Sequence, residues 1–235
     1  VVISAMGKTT NALEKLVNSF YYRKGDAQIY LDEIKNYHLN LMQQLFSDPT
    51  HAIYDEIENC FVALEWELEG EPEYSYDHEY DQMVSWGEII STKIVSAFLN
   101  DSGVPCGWID ARDLIKTDNT FRDAKINLTE TENCIKKHIQ FNSNKLYITQ
   151  GFIGCTSENF TTTLGREGSD YSAAILAYSL NAKDVTIWKD VPGVLNADPK
   201  WFEETVLHKE LSYQDAIELT YYGATVIHPK TIKPL

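Results

Sequence analysis

A glycine-rich segment, GREGSD at residues 165–170, stands directly before an apolar stretch that is typical of a buried helix. Its two glycines allow the backbone to approach a ligand closely. Arg166 can bind a carboxylate through two parallel hydrogen bonds. Ser169 or Asp170 could instead serve only as the cap of the helix, but a cap explains neither the arginine nor both glycines. The segment therefore favours a site for a small anionic ligand.

A second segment, SAMGKTTN at residues 4–11, separates a short apolar run from a stretch with helical spacing. Free backbone N–H groups and the positive end of the helix dipole favour an anion at such a position. An ordinary helix cap would have a similar composition. The segment does not have the pattern G-x-x-x-x-G-K-[ST], so a P-loop nucleotide site is not predicted.

Two further segments carry charged groups beside predicted strands or helices. Glu88 stands in the first turn of a predicted helix, where a carboxylate either complements the dipole or holds an ammonium group. Residues 188–200 combine Lys189, Asp190 and Lys200 with a Pro-Gly turn. This composition fits a plain turn-rich connection, and it also suits a nucleotide with its metal ion.

The elements that must hold these segments alternate between strands and helices. Strands are predicted at residues 1–3, 104–109, 145–152 and 185–188, and helices at residues 12–17, 87–99, 169–180 and 213–222. Strands separated by helices predict an α/β fold with a mostly parallel sheet that is covered on both faces. Ligands of such folds bind at the carboxyl ends of the strands, and the four segments follow strands or open helices.

The stretch between residues 26 and 81 departs from this alternation. Apolar residues recur three or four apart in residues 27–46 and again in residues 53–68, which predicts two consecutive helices. We therefore expect a helical subdomain or insertion at about residues 26–81. The acidic residues concentrated in residues 55–81 are typical of a solvated helix face and loop.

The bulk composition is that of a globular protein and narrows the possible partners. The 235 residues carry a formal net charge of −15, which disfavours binding to nucleic acid or to an anionic membrane. Cys60, Cys106, Cys134 and Cys155 form no CxxC pair, so neither a zinc site nor a disulfide framework is predicted. No apolar run is long enough to cross a bilayer and no signal peptide is recognisable. We expect a cytoplasmic protein without metal-ligating side chains.

Taken in order, the segments resemble the aspartokinases of the amino-acid kinase family. The matching stretches are SAMGKTTNAL, WGEIIST, DARDLIKTDNTFRDA, GFIGCTSENFTTTLGREGSDYSAA, WKDVPGVLNADPK and LSYQDAIELTYYGATVIHP. They cover more than a third of the chain, and the fourth is highly specific. The resemblance implies a three-layer α/β/α sandwich with a mostly parallel central sheet, the variable helical insertion, and C-terminal ACT regulatory domains that this chain lacks.

The resemblance also implies an activity, the phosphorylation of the β-carboxylate of L-aspartate by ATP with Mg²⁺, which begins the biosynthesis of lysine and threonine. Arg166 would bind the α-carboxylate of the substrate and Glu88 its α-ammonium, while Ser4 and Thr10 would line the aspartate and phosphate pocket. Asp170 would orient the charged groups around the transferring phosphoryl. On the nucleotide-binding loop the matching positions are Lys189, Asp190 and Lys200.

The family's opening Lys-Phe-Gly-Gly-Thr-Ser strand and loop has no counterpart before Val1, and its lysine stabilises the transferring phosphoryl. We therefore expect residues upstream of Val1 in the working enzyme, which the resemblance implies is a homodimer. Two alternatives stay open. One is another member of the amino-acid kinase family, and the other is a non-catalytic module that binds a ligand.

Overall fold

The computed structural model describes residues 1–198, 200–221 and 226–235. Its strands are β1 (Val2–Ile3), β2 (Gly107–Trp108), β3 (Tyr147–Gln150), β4 (Ile153–Cys155) and β5 (Thr161–Thr163). Its helices are α1 (Thr9–Tyr22), α2 (Ala27–Leu45), α3 (Ala52–Glu69), α4 (Tyr76–Val84), α5 (Trp86–Asp101), α6 (Ala111–Leu114), α7 (Leu128–His138), α8 (Gly168–Ser179), α9 (Tyr213–Tyr221) and α10 (Pro229–Ile232). No helix in these ranges is long and apolar enough to cross a membrane.

The central sheet is parallel, with strand order β1-β3-β2. Val2 pairs with Thr149 across β1 and β3, and Gly107 pairs with Tyr147 across β2 and β3. Because successive side chains of a strand point to opposite faces, β3 contacts a different layer of helices on each side.

The two faces of β3 show the three layers. The side chain of Gln150 donates a hydrogen bond of 2.6 Å to Thr92 on α5. Tyr147, on the other face, packs in a buried cluster with Ile135 of α7 and Ile175 of α8. The fold is therefore an α/β/α sandwich with a mostly parallel sheet, as predicted.

The helices predicted in residues 27–46 and 53–68 are confirmed as α2 and α3, and α4 follows them. Their spacing is helical because the apolar positions form one buried face, which includes Leu31 on α2 and Phe61 on α3. These side chains pack in the same cluster as Leu13 of α1 and Ile89 of α5. The helical region thus shares its core with the helices beside the sheet.

The prediction of a buried strand at residues 185–188 is wrong. The structure gives this segment no regular secondary structure, and Trp188 is 91% exposed. Val185 and Ile187 are half-buried, which accounts for the alternating apolar pattern. A strand also needs a partner for its backbone groups, and the described residues pair no strand with it. The last residue of the predicted helix 213–222, Tyr222, lies outside the described residues.

Candidate functional site

A cavity of about 610 Å³ lies at the carboxyl ends of β1 and β3. It is lined by Ser4, Thr10, Asn11, Tyr80, Glu88, Arg122, Phe152, Thr163, Gly165, Arg166, Glu167, Gly168, Ser169, Asp170 and Lys189. Six of the sequence-predicted site residues are among them: Ser4, Thr10, Glu88, Arg166, Asp170 and Lys189. Their positions agree with the rule that ligands of parallel sheets bind beyond the carboxyl ends of the strands.

The sheet positions the first wall of the cavity. Ser4 follows β1 directly, and its hydroxyl donates a hydrogen bond of 2.9 Å to the hydroxyl of Ser169 in the first turn of α8. Ser91 of α5 donates a hydrogen bond of 2.7 Å to the carbonyl of Ser4. Gly151 follows β3, and a Cβ atom at that position would lie 2.5 Å from the Cβ of Ser169. The absence of a side chain at Gly151 therefore allows the start of α8 to lie against the end of β3.

The glycine-rich segment turns into α8 through left-handed backbone conformations. Gly165 has φ +75°, and a Cβ there would lie 2.7 Å from the carboxylate of Asp123. Glu167 at the N-cap of α8 has φ 55° and makes no side-chain cap hydrogen bond. The helix begins at Gly168, so Ser169 and Asp170 lie inside its first turn and neither is the cap. Asp170 is therefore available to other partners.

Glu88 is a buried carboxylate with an incomplete set of partners. It lies in the first turn of α5 and is 3% exposed. Its Oε1 accepts a hydrogen bond of 3.3 Å from the backbone N–H of Ala5, whereas Oε2 has no partner among the described residues. Burial raises the pKa of Glu88 to about 8, although the Ala5 hydrogen bond acts in the opposite direction. A cationic group in the cavity would compensate this carboxylate.

Lys189 extends into the cavity, and its ammonium is held by acidic residues of α8 and its N-cap. The Nζ atom lies 2.8 Å from Oδ2 of Asp170 and 3.5 Å from Oε2 of Glu167. Burial acts to lower the pKa of Lys189, but the two carboxylates favour the charged form and the pKa is raised. Asp190 and Lys200 are exposed and do not line the cavity. Of the three residues predicted on this loop, Lys189 therefore lines the cavity and the two others do not.

Arg166 contributes a positive charge to the cavity. Its side chain is exposed and lines the cavity, and within the described ranges it has neither a hydrogen bond nor an ion pair. Thr10, in the first turn of α1, lines the same cavity. The geometry thus presents one unpartnered guanidinium and one buried carboxylate to the same space.

Sequence reasoning missed the wall formed by Arg122, Tyr80 and Thr163. Asp81 on α4, which is fully buried, accepts hydrogen bonds from the backbone N–H of Thr163 at 2.8 Å and from its hydroxyl at 2.6 Å. It also accepts a bond of 2.9 Å from the N–H of Arg122. Burial raises the pKa of Asp81 to about 6, partly offset by these bonds. No local pattern indicates contacts between residues 41 and 82 positions apart.

The described part of the chain contains no group of three or more His, Cys, Asp or Glu side chains that could hold a metal ion. Mg²⁺ at phosphates is usually bound by one or two carboxylates together with phosphate oxygens and water, and Glu88, Glu167 and Asp170 are the carboxylates that line this cavity.

The chain is similar to known proteins in sequence and in structure. The chain is 35% identical over 244 residues to the chloroplastic bifunctional aspartokinase/homoserine dehydrogenase 1 of Zea mays. It is 33% identical over 235 residues to the lysine-sensitive aspartokinase 3 of Escherichia coli (strain K12). All of the chain superposes with TM-score 0.90 and 33% identity on 52% of the chain of E. coli aspartokinase III, solved in complex with aspartate and ADP in the R-state.

The chain spans 26% of the length of the maize protein and 51% of the length of the E. coli protein. The family model described as the amino acid kinase family matches residues 1–235, the whole chain. On that match, the chain belongs to the amino acid kinase family.

Proposed function

We propose that the protein catalyses the ATP-dependent phosphorylation of the β-carboxylate of L-aspartate. One observation carries the proposal: the same cavity presents the buried carboxylate of Glu88 and the guanidinium of Arg166, which has no partner among the described residues. These two groups are complementary to the ammonium and a carboxylate of an amino acid. The names of the relatives, which are aspartokinases, support the choice of aspartate as that amino acid.

In this proposal each charged group of the bound aspartate contacts a side chain of the cavity. Arg166 binds the α-carboxylate and Glu88 binds the α-ammonium, which favours the ionised form of Glu88 once the ligand is bound. Ser4 and Thr10 provide hydroxyl groups at the carboxyl end of β1 and at the start of α1. These contacts hold the β-carboxylate in one orientation, and orientation is a main source of rate in phosphoryl transfer.

The nucleotide side of the cavity is assigned to Lys189 and Asp170. The ammonium of Lys189 provides positive charge next to Asp170, and Asp170 orients the charged groups around the transferring phosphoryl. Asp190 and Lys200 lie on the exposed continuation of the same loop and are proposed to contact more distant parts of ATP. Mg²⁺ would enter with the phosphates, and no step of the proposal depends on a metal ion held by side chains.

A coupled assay of ADP release tests the activity. The full-length protein is supplied with ATP, Mg²⁺ and, in separate reactions, L-aspartate, L-glutamate, N-acetylglutamate or UMP. We expect turnover with aspartate. Turnover only with another acceptor would support another member of the family, and calorimetric binding of aspartate without any turnover would support a non-catalytic module. Either result would contradict the proposal.

The role of Arg166 is tested with Arg166→Gln. Because a charge-assisted hydrogen bond contributes about 1.5–3 kcal/mol, we expect the KM for aspartate to rise about 10- to 100-fold. The KM for ATP should change much less. Arg23→Gln is the matched control, since Arg23 is exposed and pairs with Glu71 away from the cavity. Equal effects on both substrates would contradict the assignment.

The location and assembly of the protein belong to the same proposal. We propose a cytoplasmic homodimer that binds neither nucleic acid nor membrane, in agreement with the net charge of −15. Light scattering of the purified protein measures its mass directly. A mass of one subunit at micromolar concentration would contradict the dimer.

A further inference from the structure

Arg122 brings a second guanidinium to the cavity. It lies between α6 and α7, and its side chain is 41% exposed. The guanidinium carbon is 4.3 Å from the centre of the Tyr80 ring, and Tyr80 also lines the cavity. A cation over an aromatic face is attracted to the negative face of the ring. The ring of Tyr80 therefore stabilises the guanidinium of Arg122 without occupying the N–H donors of the arginine.

The backbone of Arg122 is fixed from the interior. Its N–H donates to the buried carboxylate of Asp81, which also accepts two hydrogen bonds from Thr163. Arg122 has φ 67°, a left-handed conformation that is uncommon for residues other than glycine. A buried anchor at the N–H can hold such a conformation, so the position of Arg122 at the cavity is determined by the fold.

The guanidinium of Arg122 forms two long ion pairs. Its closest carboxylates are Asp77 at 3.5 Å and Glu14 at 3.8 Å, both longer than a charge-assisted hydrogen bond of about 2.7–2.9 Å. Arg112, by contrast, forms short charge-assisted hydrogen bonds, because its Nε and Nη2 atoms donate to the carboxylate of Asp110 at 2.7–3.1 Å. Within the described ranges, the guanidinium of Arg122 has no comparable hydrogen bond.

The charged side chains of the cavity indicate which class of ligand it can bind. Lys189, paired with Asp170 at 2.8 Å, is assigned to the nucleotide side of the cavity, so Arg122 and Arg166 are the remaining cationic side chains of the lining set. An acidic amino acid has two carboxylates and one ammonium, and Glu88 is the group assigned to the ammonium. Two guanidinium groups and one carboxylate therefore match the three charges of such a ligand.

Resting on the proposed function, we propose that Arg122 binds the side-chain carboxylate of the acceptor amino acid and so determines the preference for an acidic substrate. Arg122 lies near the part of the cavity that is proposed for the acceptor. Its ion-pair partner Glu14 lies one helical turn after Thr10 on α1, and Thr10 is assigned to the acceptor pocket. Arg122 is a binding and orienting contact for the carboxylate that receives the phosphoryl group.

Calorimetric titration with two ligands tests this assignment without turnover. L-Aspartate and L-asparagine differ in the charge of the side chain, so the ratio of their affinities measures recognition of the side-chain carboxylate. We expect Arg122→Gln to weaken aspartate about 10- to 100-fold and asparagine less than about threefold. Arg166→Gln should weaken both ligands alike. Arg23→Gln is the matched control, because Arg23 also has a left-handed backbone, with φ 52°, and pairs with a glutamate.

The outcomes separate this inference from the proposed function. An unchanged ratio of aspartate to asparagine affinity in Arg122→Gln would overturn the inference, and so would a wild-type protein that binds neither ligand. If Arg122→Gln loses the preference for aspartate over asparagine but the wild-type protein shows no turnover, the role of Arg122 would be supported and the proposed kinase activity would be overturned. If Arg122→Gln does not fold, Arg122→Lys, which keeps the charge but loses the planar fork, should lower the ratio by a smaller factor. No change in that variant would also overturn the inference.

Discussion

At the scale of single residues, Glu88 shows how burial prepares a side chain for a ligand. The carboxylate is almost fully buried, and one of its oxygens has no partner among the described residues. Desolvation favours the protonated form, which is why the pKa rises to about 8. An ammonium group would restore the favourable environment of the ionised form, so binding of an amino acid should release a proton near neutral pH.

The raised pKa of Glu88 predicts the pH dependence of stability. Between its unfolded pKa of 4.5 and its folded pKa of about 8, the native state binds a proton that the unfolded state has lost. Glu88 should therefore contribute a fall in the free energy of unfolding of the ligand-free protein as pH rises, by at most about 1.4 kcal/mol per pH unit.

Urea denaturation between about pH 6.5 and pH 8 measures this slope. His38, whose pKa is lowered by burial, contributes only below that window. Glu88→Gln should remove the contribution, whereas Glu203→Gln, at an exposed position, should leave the slope unchanged. An identical slope in wild type and Glu88→Gln would refute the prediction.

At the scale of secondary structure elements, the site depends on the close approach of α8 to the end of β3. Ser169 in the first turn of α8 lies where a side chain on Gly151 would lie. One turn later, the hydroxyl of Ser172 accepts a hydrogen bond of 3.0 Å from the backbone N–H of Phe152. The hydroxyl of Ser172 in turn donates to the carbonyl of Gly168 at 2.9 Å. Small residues thus bring Asp170 to the cavity by allowing two backbones to meet.

Gly151→Ala tests the importance of this approach. The added methyl would overlap the Cα and Cβ of Ser169 at 2.6 and 2.5 Å, so α8 must shift away from the sheet. Overpacking of this kind costs about 1–3 kcal/mol, and we expect a loss of about 2 kcal/mol or more in urea denaturation together with weaker aspartate binding. Gly70→Ala is the control, since the nearest atom to its added Cβ is 3.8 Å away. Equal stability of the two variants would contradict this account.

At the scale of the whole molecule, one hydrophobic core joins the helical region to the sheet. Phe61 of α3, Leu13 of α1, Ile89 of α5 and Ile153 of β4 belong to the same buried cluster. Gln82 on α4 donates a hydrogen bond to the carbonyl of Thr161, and Asp81 on α4 accepts two from Thr163, so β5 connects the two regions further. We infer that the helical region and the sheet unfold together.

Phe61→Ala tests this cooperativity. Removing a fully buried phenylalanine costs about 3–5 kcal/mol, and this loss should lower the stability of the whole described structure. Tryptophan fluorescence and circular dichroism should give coincident unfolding transitions, which is the test for two states. Phe202→Ala, at a side chain that is 59% exposed, should have little effect. Separate transitions for the two probes would show that the helical region unfolds independently.

Much of the site follows from local sequence. The chain order of strands, loops and helices places Ser4, Glu88, Arg166 and Asp170 beside strand ends or in the first turns of helices, and parallel strands bring those places to one edge. The periodic apolar positions of α2 and α3 predict their buried faces, because 3.6 residues per turn is a property of the helix itself. The ligand roles of these residues stay predictions.

Only the tertiary structure decided which charged groups meet. The resemblance implies that Lys189 lies on the nucleotide-binding loop, which stays a prediction, and packing places its ammonium against Asp170 and Glu167, with Asp190 and Lys200 outside the cavity.

The wall built on Asp81 was not predictable in the same way, because its hydrogen bonds join residues 41 and 82 positions apart. Periodicity and turn chemistry report interactions between near neighbours in the chain. Burial of a carboxylate and pairing across distant elements arise only when the core brings those elements together, and they determine which charges of this cavity are free to bind a ligand.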